Sequence, residues 1–142
     1  MRQLGRAEVF AFMAEGTRTG HLATVRADGT PHVAPVWFVV DGDELVFTTW
    51  HASVKARNLV ANPRVALSVD DPQPPYSYAM VEGAAQVEEV DADGRAKWAG
   101  RMGARYMGAG RADEFARRNG VEGELVVRIT VERAVGHAGM TD

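Results

Sequence analysis

The sequence contains no cysteine among its 142 residues. Without cysteine the chain has no disulfide bond, no thiol nucleophile and no thiolate metal site. It also has no apolar run close to the ~18 residues that a membrane-spanning helix needs, and its first residues lack the apolar core of a signal peptide. We therefore expect a soluble, cytoplasmic protein with no membrane partner, folded as one domain over residues 1–142.

An excess of basic residues is absent too. The chain has 16 Lys plus Arg against 19 Asp plus Glu, so its net charge is −3, which disfavours nucleic acid as a main partner.

The histidines show no metal-ligand spacing such as H-E-x-x-H, so no metal site is expected; they are His21, His32, His51 and His137. No G-x-S-x-G sequence surrounds a serine, and hydrolase chemistry is therefore unsupported.

Strand-like patterns make up much of the chain. Six segments are apolar or alternate between apolar and polar residues, at 20–27, 31–40, 44–50, 64–69, 76–90 and 124–137. The pairs Asp28-Gly29 and Asp41-Gly42 predict tight hairpins, and Gly83 predicts a bend. Short helices are expected at 6–15, at 53–61 and, in two pieces, at 92–118. The pattern predicts a mainly β protein with small helices, built as a six-stranded antiparallel barrel.

One of these segments, "HVAPVWFVV" at 32–40, is apolar almost throughout. Such a run predicts a strand that is buried on both faces, by the core on one side and by a second subunit on the other. Pro35 lacks a backbone donor, so it predicts an edge strand or a bulge at this place. We therefore expect a homodimer.

The segment that follows the third strand carries cations where they are unfavourable. Ser53 is suited to cap a helix, and Lys55 and Arg57 then fall in its first turns. Each exposed cation there costs about 0.3–1 kcal/mol against the helix dipole. An anion bound at the helix start, such as a phosphate, would offset that cost, since it would meet free N–H groups, a hydroxyl and two cations. The alternative is an ordinary capping serine beside two solvated cations.

Three stretches together resemble the pyridoxamine 5′-phosphate oxidase-like, split β-barrel family. They are "GHLATVRADGTPHVAPVWF", "LVFTTWHASVKARNLVANPRVALSV" and "YAMVEGAAQV", and the resemblance covers roughly residues 7–135. It implies an FMN-binding-like split barrel that binds FMN or the deazaflavin coenzyme F420 between the two subunits of a homodimer. Such a protein would be an oxidoreductase acting on a small molecule.

The resemblance also implies which residues bind the cofactor. Ser53, Lys55 and Arg57 would hold its phosphate, and Thr48 and Thr49 would lie near its ribityl chain. Four residues would lie beside the ring: Ala34, Pro35, Val36 and Trp37. Ser77 and Tyr78, within the segment 76–79, would reach the cofactor from the partner subunit.

The carboxyl-terminal segment departs from the oxidase proper. That enzyme grips its phosphorylated substrate with an Arg-x-His motif, whereas here Arg133 and His137 stand four residues apart. The helical segment "KWAGRMGARYMGAG" resembles the deazaflavin-using branch, which transfers hydride to or from small electron-poor molecules. We therefore expect F420 as the cofactor, with FMN as the alternative. A non-catalytic flavin or deazaflavin carrier, or a homodimer that has lost its ligand, would have the same fold.

The same helical segment contains two further groups of candidate residues. Trp98, Met102 and Tyr106 share one helix face, which predicts core or dimer packing or the wall of a pocket. Arg101 and Arg105 flank that face, where they would be solvated or would meet the acidic tail of a deazaflavin. No catalytic residue is identified, because hydride chemistry belongs to the cofactor. Solvent or Tyr106 would supply a proton.

Overall fold

The computed structural model describes all residues from Met1 to Asp142. The strands are β1 (Arg2–Gln3), β2 (Gly20–Val25), β3 (Pro31–Val36), β4 (Phe38–Asp41), β5 (Glu44–Trp50), β6 (Arg64–Asp71), β7 (Ser77–Glu88) and β8 (Glu124–Ala138). The helices are α1 (Arg6–Ala14), α2 (Val54–Ala61), α3 (Ala92–Met107) and α4 (Ala112–Asn119), and a 3₁₀ turn (Ala109–Arg111) links the last two. No helix is both long and apolar enough to cross a membrane.

All strands belong to one curled antiparallel sheet. Its order is β3-β2-β6-β7-β8-β5-β4, and the short β1 pairs with β8. The two edge strands, β3 and β4, are adjacent in sequence and are separated by Trp37 alone. The sheet therefore curls until its two edges lie on either side of one residue, which gives a half-barrel with small helices.

The strand count differs from the predicted six. The run 31–40 is two strands, since β3 pairs with β2 and β4 pairs with β5. The prediction of one strand is wrong because the chain changes pairing partner at Trp37, whose ring stacks on Tyr106 at a centroid distance of 4.9 Å. Pro35 does lie on an edge strand, as its missing donor predicted.

The expected turns and bend are present. Asp28 accepts a hydrogen bond from the Thr30 backbone N–H at 3.0 Å, and Gly29 adopts a φ of 88° in the β2–β3 hairpin. Gly42 adopts a φ of 64° in the β4–β5 hairpin. The β7–β8 register shifts between Glu82 and Gly83, where a Cβ atom would come within 2.0 Å of a backbone carbonyl oxygen. These glycines confirm the turn and bend predictions.

Two apolar clusters lie on opposite faces of the sheet. The larger one fills the half-barrel, is covered by α1 and includes Phe38, Phe47, Leu67, Val81 and Ile129. The smaller one packs α3 against the outer face of β4, β5 and β8. Its members are Val39, Val46, Trp98, Met102 and Val126. The packing interpretation of Trp98 and Met102 is therefore confirmed.

Candidate functional site

The beginning of α2 is fixed by the residue that precedes it. Ser53 has an extended backbone, and its Oγ accepts a hydrogen bond from the Ala56 N–H at 3.1 Å. The same Oγ lies 2.8 Å from the Thr49 Oγ1 at the end of β5. The helix start is therefore capped as the sequence predicted and is tied by a hydroxyl pair to the strand before it.

Several groups at this helix start have no partner in the chain. The backbone N–H groups of Val54 and Lys55 form no hydrogen bond, because only the later N–H groups reach Ser53. The side chains of Lys55 and Arg57 form neither a hydrogen bond nor an ion pair, and Lys55 is partly buried. Unpaired donors and cations that converge on a helix N-terminus fit a bound anion such as a phosphate group.

The body of α2 is anchored to the barrel. Asn58 is buried and donates from Nδ2 to the Thr24 Oγ1 of β2 at 3.1 Å. Ala56 and Leu59 are buried beside it. An anchored helix holds its first turn in place before a ligand arrives, which lowers the entropic cost of binding.

A carboxylate stands near these cations. Glu124, the first residue of β8, is the cross-strand partner of Trp50, which ends β5. Partial burial raises the pKa of the Glu124 carboxyl above its ordinary value, and the positive charge of Lys55 acts in the opposite direction. The two side chains do not form an ion pair. The site is therefore mixed in charge, because the Glu124 carboxylate lies within electrostatic reach of the Lys55 ammonium.

The two threonines of β5 point to opposite faces of the sheet, because side chains alternate along a strand. Thr49 is buried and contacts Ser53. Thr48 faces α3, with its Oγ1 3.8 Å from the Met102 sulfur. Only Thr49 contacts the helix cap directly, and the ribityl contacts of both residues stay a prediction.

The four residues proposed to flank the ring lie along β3 and at the junction with β4. Ala34 is partly exposed, Pro35 is exposed and Val36 is buried in the core. Trp37 packs outward on Tyr106 and Phe115, with the rings of Trp37 and Tyr106 only 3° from parallel. Their contact with a cofactor ring stays a prediction, since the contacts of Trp37 within the chain are with the helical segment.

Ser77 and Tyr78 lie far from the helix start within the same chain. They begin β7 beside Asp71, whereas Glu88, at the other end of β7, lies beside Val126 near the start of β8. At about 3.3 Å per residue, the two ends of β7 are roughly 36 Å apart along the strand. Contact of Ser77 and Tyr78 with a cofactor held at α2 would therefore have to come from a partner subunit, as the sequence interpretation proposed.

The structure also shows a pair that the sequence did not reveal. The Tyr78 hydroxyl lies 3.0 Å from the His137 Nδ1, and their rings are 5.6 Å apart. The two residues are cross-strand partners on β7 and β8. Both strands were predicted, but only their relative register brings these side chains together, and no local sequence signal gives that register.

Tyr106 and Arg105 have structural roles that the sequence interpretation did not anticipate. The Tyr106 hydroxyl donates a hydrogen bond to the Arg18 carbonyl at 2.9 Å and accepts one from the Phe38 N–H at 3.3 Å. Burial raises the pKa of this hydroxyl. Arg105 donates to the carbonyl oxygens of Phe38 and Met13, each at 2.6 Å, and of Gly16 at 3.0 Å. Neither side chain is free to donate a proton to a substrate or to bind an acidic tail.

Arg101 differs from Arg105 on the same helix. It is exposed, forms no ion pair and lies over the Trp98 ring at 4.6 Å from the ring centre. Among His, Asp and Glu side chains, no group of three or more is arranged to hold a metal ion.

Comparison with known proteins agrees with the observed fold. Residues 6–138 match the model of the family described as pyridoxamine 5′-phosphate oxidase. An F420 reductase of known structure is 36% identical, with a TM-score of 0.66 over 87% of this chain and 93% of that one. A conserved hypothetical protein from Mycobacterium tuberculosis is 26% identical, with a TM-score of 0.81 over 97% and 87% of the two chains.

A FAD-binding protein from Mesorhizobium loti shares the fold at 20% identity, with a TM-score of 0.68 over 95% of this chain and 93% of that one. The proteins of this fold thus differ in the cofactors that their names give. Because the family model spans nearly the whole chain, from α1 to the end of β8, the protein belongs to the pyridoxamine 5′-phosphate oxidase family.

Proposed function

We propose that this protein is an oxidoreductase that binds coenzyme F420 and uses it to transfer hydride to or from a small electron-poor organic molecule. The observation that supports it most is the start of α2, where the Lys55 ammonium and two backbone N–H groups have no partner in the chain beside the capping Ser53. Such a set of donors is suited to the phosphate of a flavin or deazaflavin cofactor.

These residues and the cofactor would have different roles. Ser53 and the first N–H groups of α2 would donate hydrogen bonds to the phosphate, and Lys55 and Arg57 would balance its charge. The bound cofactor supplies the hydride chemistry, while the chain positions it and excludes competing reactions. Tyr106 is not available as a proton donor, because it is already hydrogen-bonded at both its donor and its acceptor positions.

The preference for F420 over FMN rests on the 36% identical F420 reductase and on the exposed Arg57. Arg101 acts electrostatically on Asp41 at the β4–β5 turn, so it lies away from the start of α2. Arg105, which sequence reasoning had added to this group, is engaged by three carbonyl oxygens and does not contribute. F420 carries an acidic tail beyond its phosphate, so exposed cations near the site favour it.

We expect the purified protein to bind F420 more tightly than FMN, and its affinity for F420 to fall as salt is raised. Fluorescence titration of each cofactor at two ionic strengths measures both effects, because exposed charges are screened beyond about 8 Å at physiological salt. Clearly tighter binding of FMN would reverse the ranking and favour the FMN-dependent alternative.

A carrier that binds the cofactor without catalysis is the second candidate, since it needs the same phosphate-binding residues at the start of α2. Turnover separates the two functions. An enzyme consumes reduced F420 in the presence of nitro- or enone-type electron acceptors, and the absorbance of the cofactor follows that reaction. A carrier binds with the same affinity and shows no consumption with any acceptor.

We further propose that the protein is a homodimer with two equivalent cofactor sites between the subunits. Five outward-facing residues of β2, β3 and β6 are small or apolar and partly or fully exposed: Ala23, Val25, Val33, Pro35 and Ala66. Val33 is 63% exposed in the single chain. A second copy of this face would cover it by a two-fold, self-complementary contact.

The dimer is tested by sedimentation of wild-type protein and two variants. Val33→Glu is expected to shift the protein to the monomer at micromolar concentration, because the interface would then contain unpaired charges. Met107→Glu is the matched control, since Met107 is 40% exposed at the end of α3, which packs on β4, β5 and β8 and not on this face. A wild-type monomer at micromolar concentration, or equal effects of both changes, would contradict the proposal.

A further inference from the structure

Glu124 places a carboxylate beside the start of α2, and binding of a phosphate there does not require one. The turn from β5 into α2 is held against the beginning of β8, because the His51 N–H donates to the Gly123 carbonyl at 2.9 Å. The Ser53 N–H donates to the Trp50 carbonyl at 3.0 Å, and Trp50 is the cross-strand partner of Glu124. The Glu124 backbone is therefore fixed beside the helix start.

The Glu124 carboxylate has no partner of its own. It forms no hydrogen bond and no ion pair, although it is partly buried. Lys55 is the one charged side chain that perturbs its pKa, and the two remain separate. An unsatisfied, partly buried carboxylate beside an anion site is unfavourable unless the ligand supplies a donor to it.

The surface around this carboxylate is open and apolar. Trp50 is 48% exposed and Val54 is 42% exposed on either side of the turn. The Trp50 indole is held by the His51 ring, at a centroid distance of 4.7 Å. A group attached to the far side of a bound phosphate would have room here, against a fixed aromatic wall.

We propose, on the basis of the function proposed above, that Glu124 is a specificity-determining residue that favours a cofactor whose phosphate is a diester. The diester carries one negative charge, whereas a terminal monoester carries about −1.5 to −2 at pH 7 and is repelled more strongly by the carboxylate. Glu124 accepts a hydrogen bond from an O–H or N–H group on the substituent that the diester carries beyond its phosphate. Lys55 attracts either phosphate, and Glu124 discriminates between them.

The test compares Glu124→Gln with wild type for two cofactors by fluorescence titration. FMN represents the monoester and F420 the diester. We expect the variant to bind FMN about three- to tenfold more tightly, since one repulsive charge is removed near the surface. Its affinity for F420 is expected to stay the same or to fall. Because each cofactor is compared with itself across the two proteins, the difference between their rings cancels.

The control is Glu122→Gln, because Glu122 is exposed and lies two residues before Glu124. It should change neither affinity. Folding is not at risk in Glu124→Gln, since burial disfavours the ionised carboxylate and a neutral amide of the same shape removes that cost at neutral pH.

Two negative results would lead to different conclusions. If wild-type protein binds both cofactors and loses both on Lys55→Ala, but Glu124→Gln leaves the FMN-to-F420 ratio unchanged, the specificity role is wrong and the proposed function stands. If wild-type protein binds neither cofactor, the proposed function and this inference both fail.

Discussion

Replacing Lys55 with alanine is expected to weaken cofactor binding roughly tenfold to more than a hundredfold. A charge-assisted hydrogen bond to phosphate contributes about 1.5–3 kcal/mol, which converts to that range of affinity. The side chain forms no hydrogen bond or ion pair within the chain, so its removal breaks no polar contact of the fold. The effect should therefore appear in binding and not in folding.

The stability of the cofactor-free variant checks this separation. A cation in the first turn of a helix is unfavourable, while the attraction of Lys55 to Glu124 offsets part of that cost. We expect the free energy of unfolding to change by less than about 0.5 kcal/mol. Lys97→Ala is the matched control, because Lys97 is the other lysine of the chain and lies exposed on α3 over Trp98. Equal affinity of both variants for the cofactor would remove the phosphate role from Lys55.

Replacing Arg105 with methionine is expected to lower the free energy of unfolding by about 3 kcal/mol, because three carbonyl oxygens would lose a charged donor, two of them in partly buried hydrogen bonds. Those oxygens belong to Met13 in α1, to Gly16 in the α1–β2 connection and to Phe38, the first residue of β4. The guanidinium thus joins α3 to all three segments. Urea denaturation measures the loss, and methionine keeps most of the side-chain volume.

Arg101→Met provides the comparison on the same helix. Arg101 is exposed and its contact is with the Trp98 ring, so its loss should cost below about 1 kcal/mol. Similar losses in the two variants would mean that the carbonyl contacts of Arg105 contribute little. A normal affinity of Arg105→Met for F420, measured below its unfolding transition, would agree with its placement away from the phosphate.

Local patterns were sufficient to predict most of the elements. Alternating apolar residues and the Asp-Gly pairs predicted the hairpins, and Gly83 predicted the bend in β7, because each of these signals depends on neighbours in sequence. The same kind of signal failed at Trp37. An apolar run looks continuous whether or not its two halves pair with the same strand, and the change of partner is decided by a helix almost 70 residues later.

In the candidate site, too, local features could be predicted from the sequence and tertiary contacts could not. Ser53 as a helix cap depends on residues within one turn, and the structure confirms it. Thr48 and Thr49 looked equivalent in sequence, yet strand alternation sends them to opposite faces. Arg105 looked like a free cation on a helix face, because nothing in its neighbourhood along the chain indicates the three carbonyls that it meets. Contacts of this kind depend on tertiary packing, which a single sequence does not supply.

The prolines of the edge strand β3 have a consequence for aggregation. N–H and C=O groups of alternate residues along an antiparallel strand point to the same side. Pro31, Val33 and Pro35 therefore share one side, and the unbroken pairing with β2 places their N–H positions on the free edge. Of those three positions only Val33 can donate. A foreign strand would find one donor along this edge, so β3 resists the strand addition by which exposed sheet edges begin amyloid-like growth.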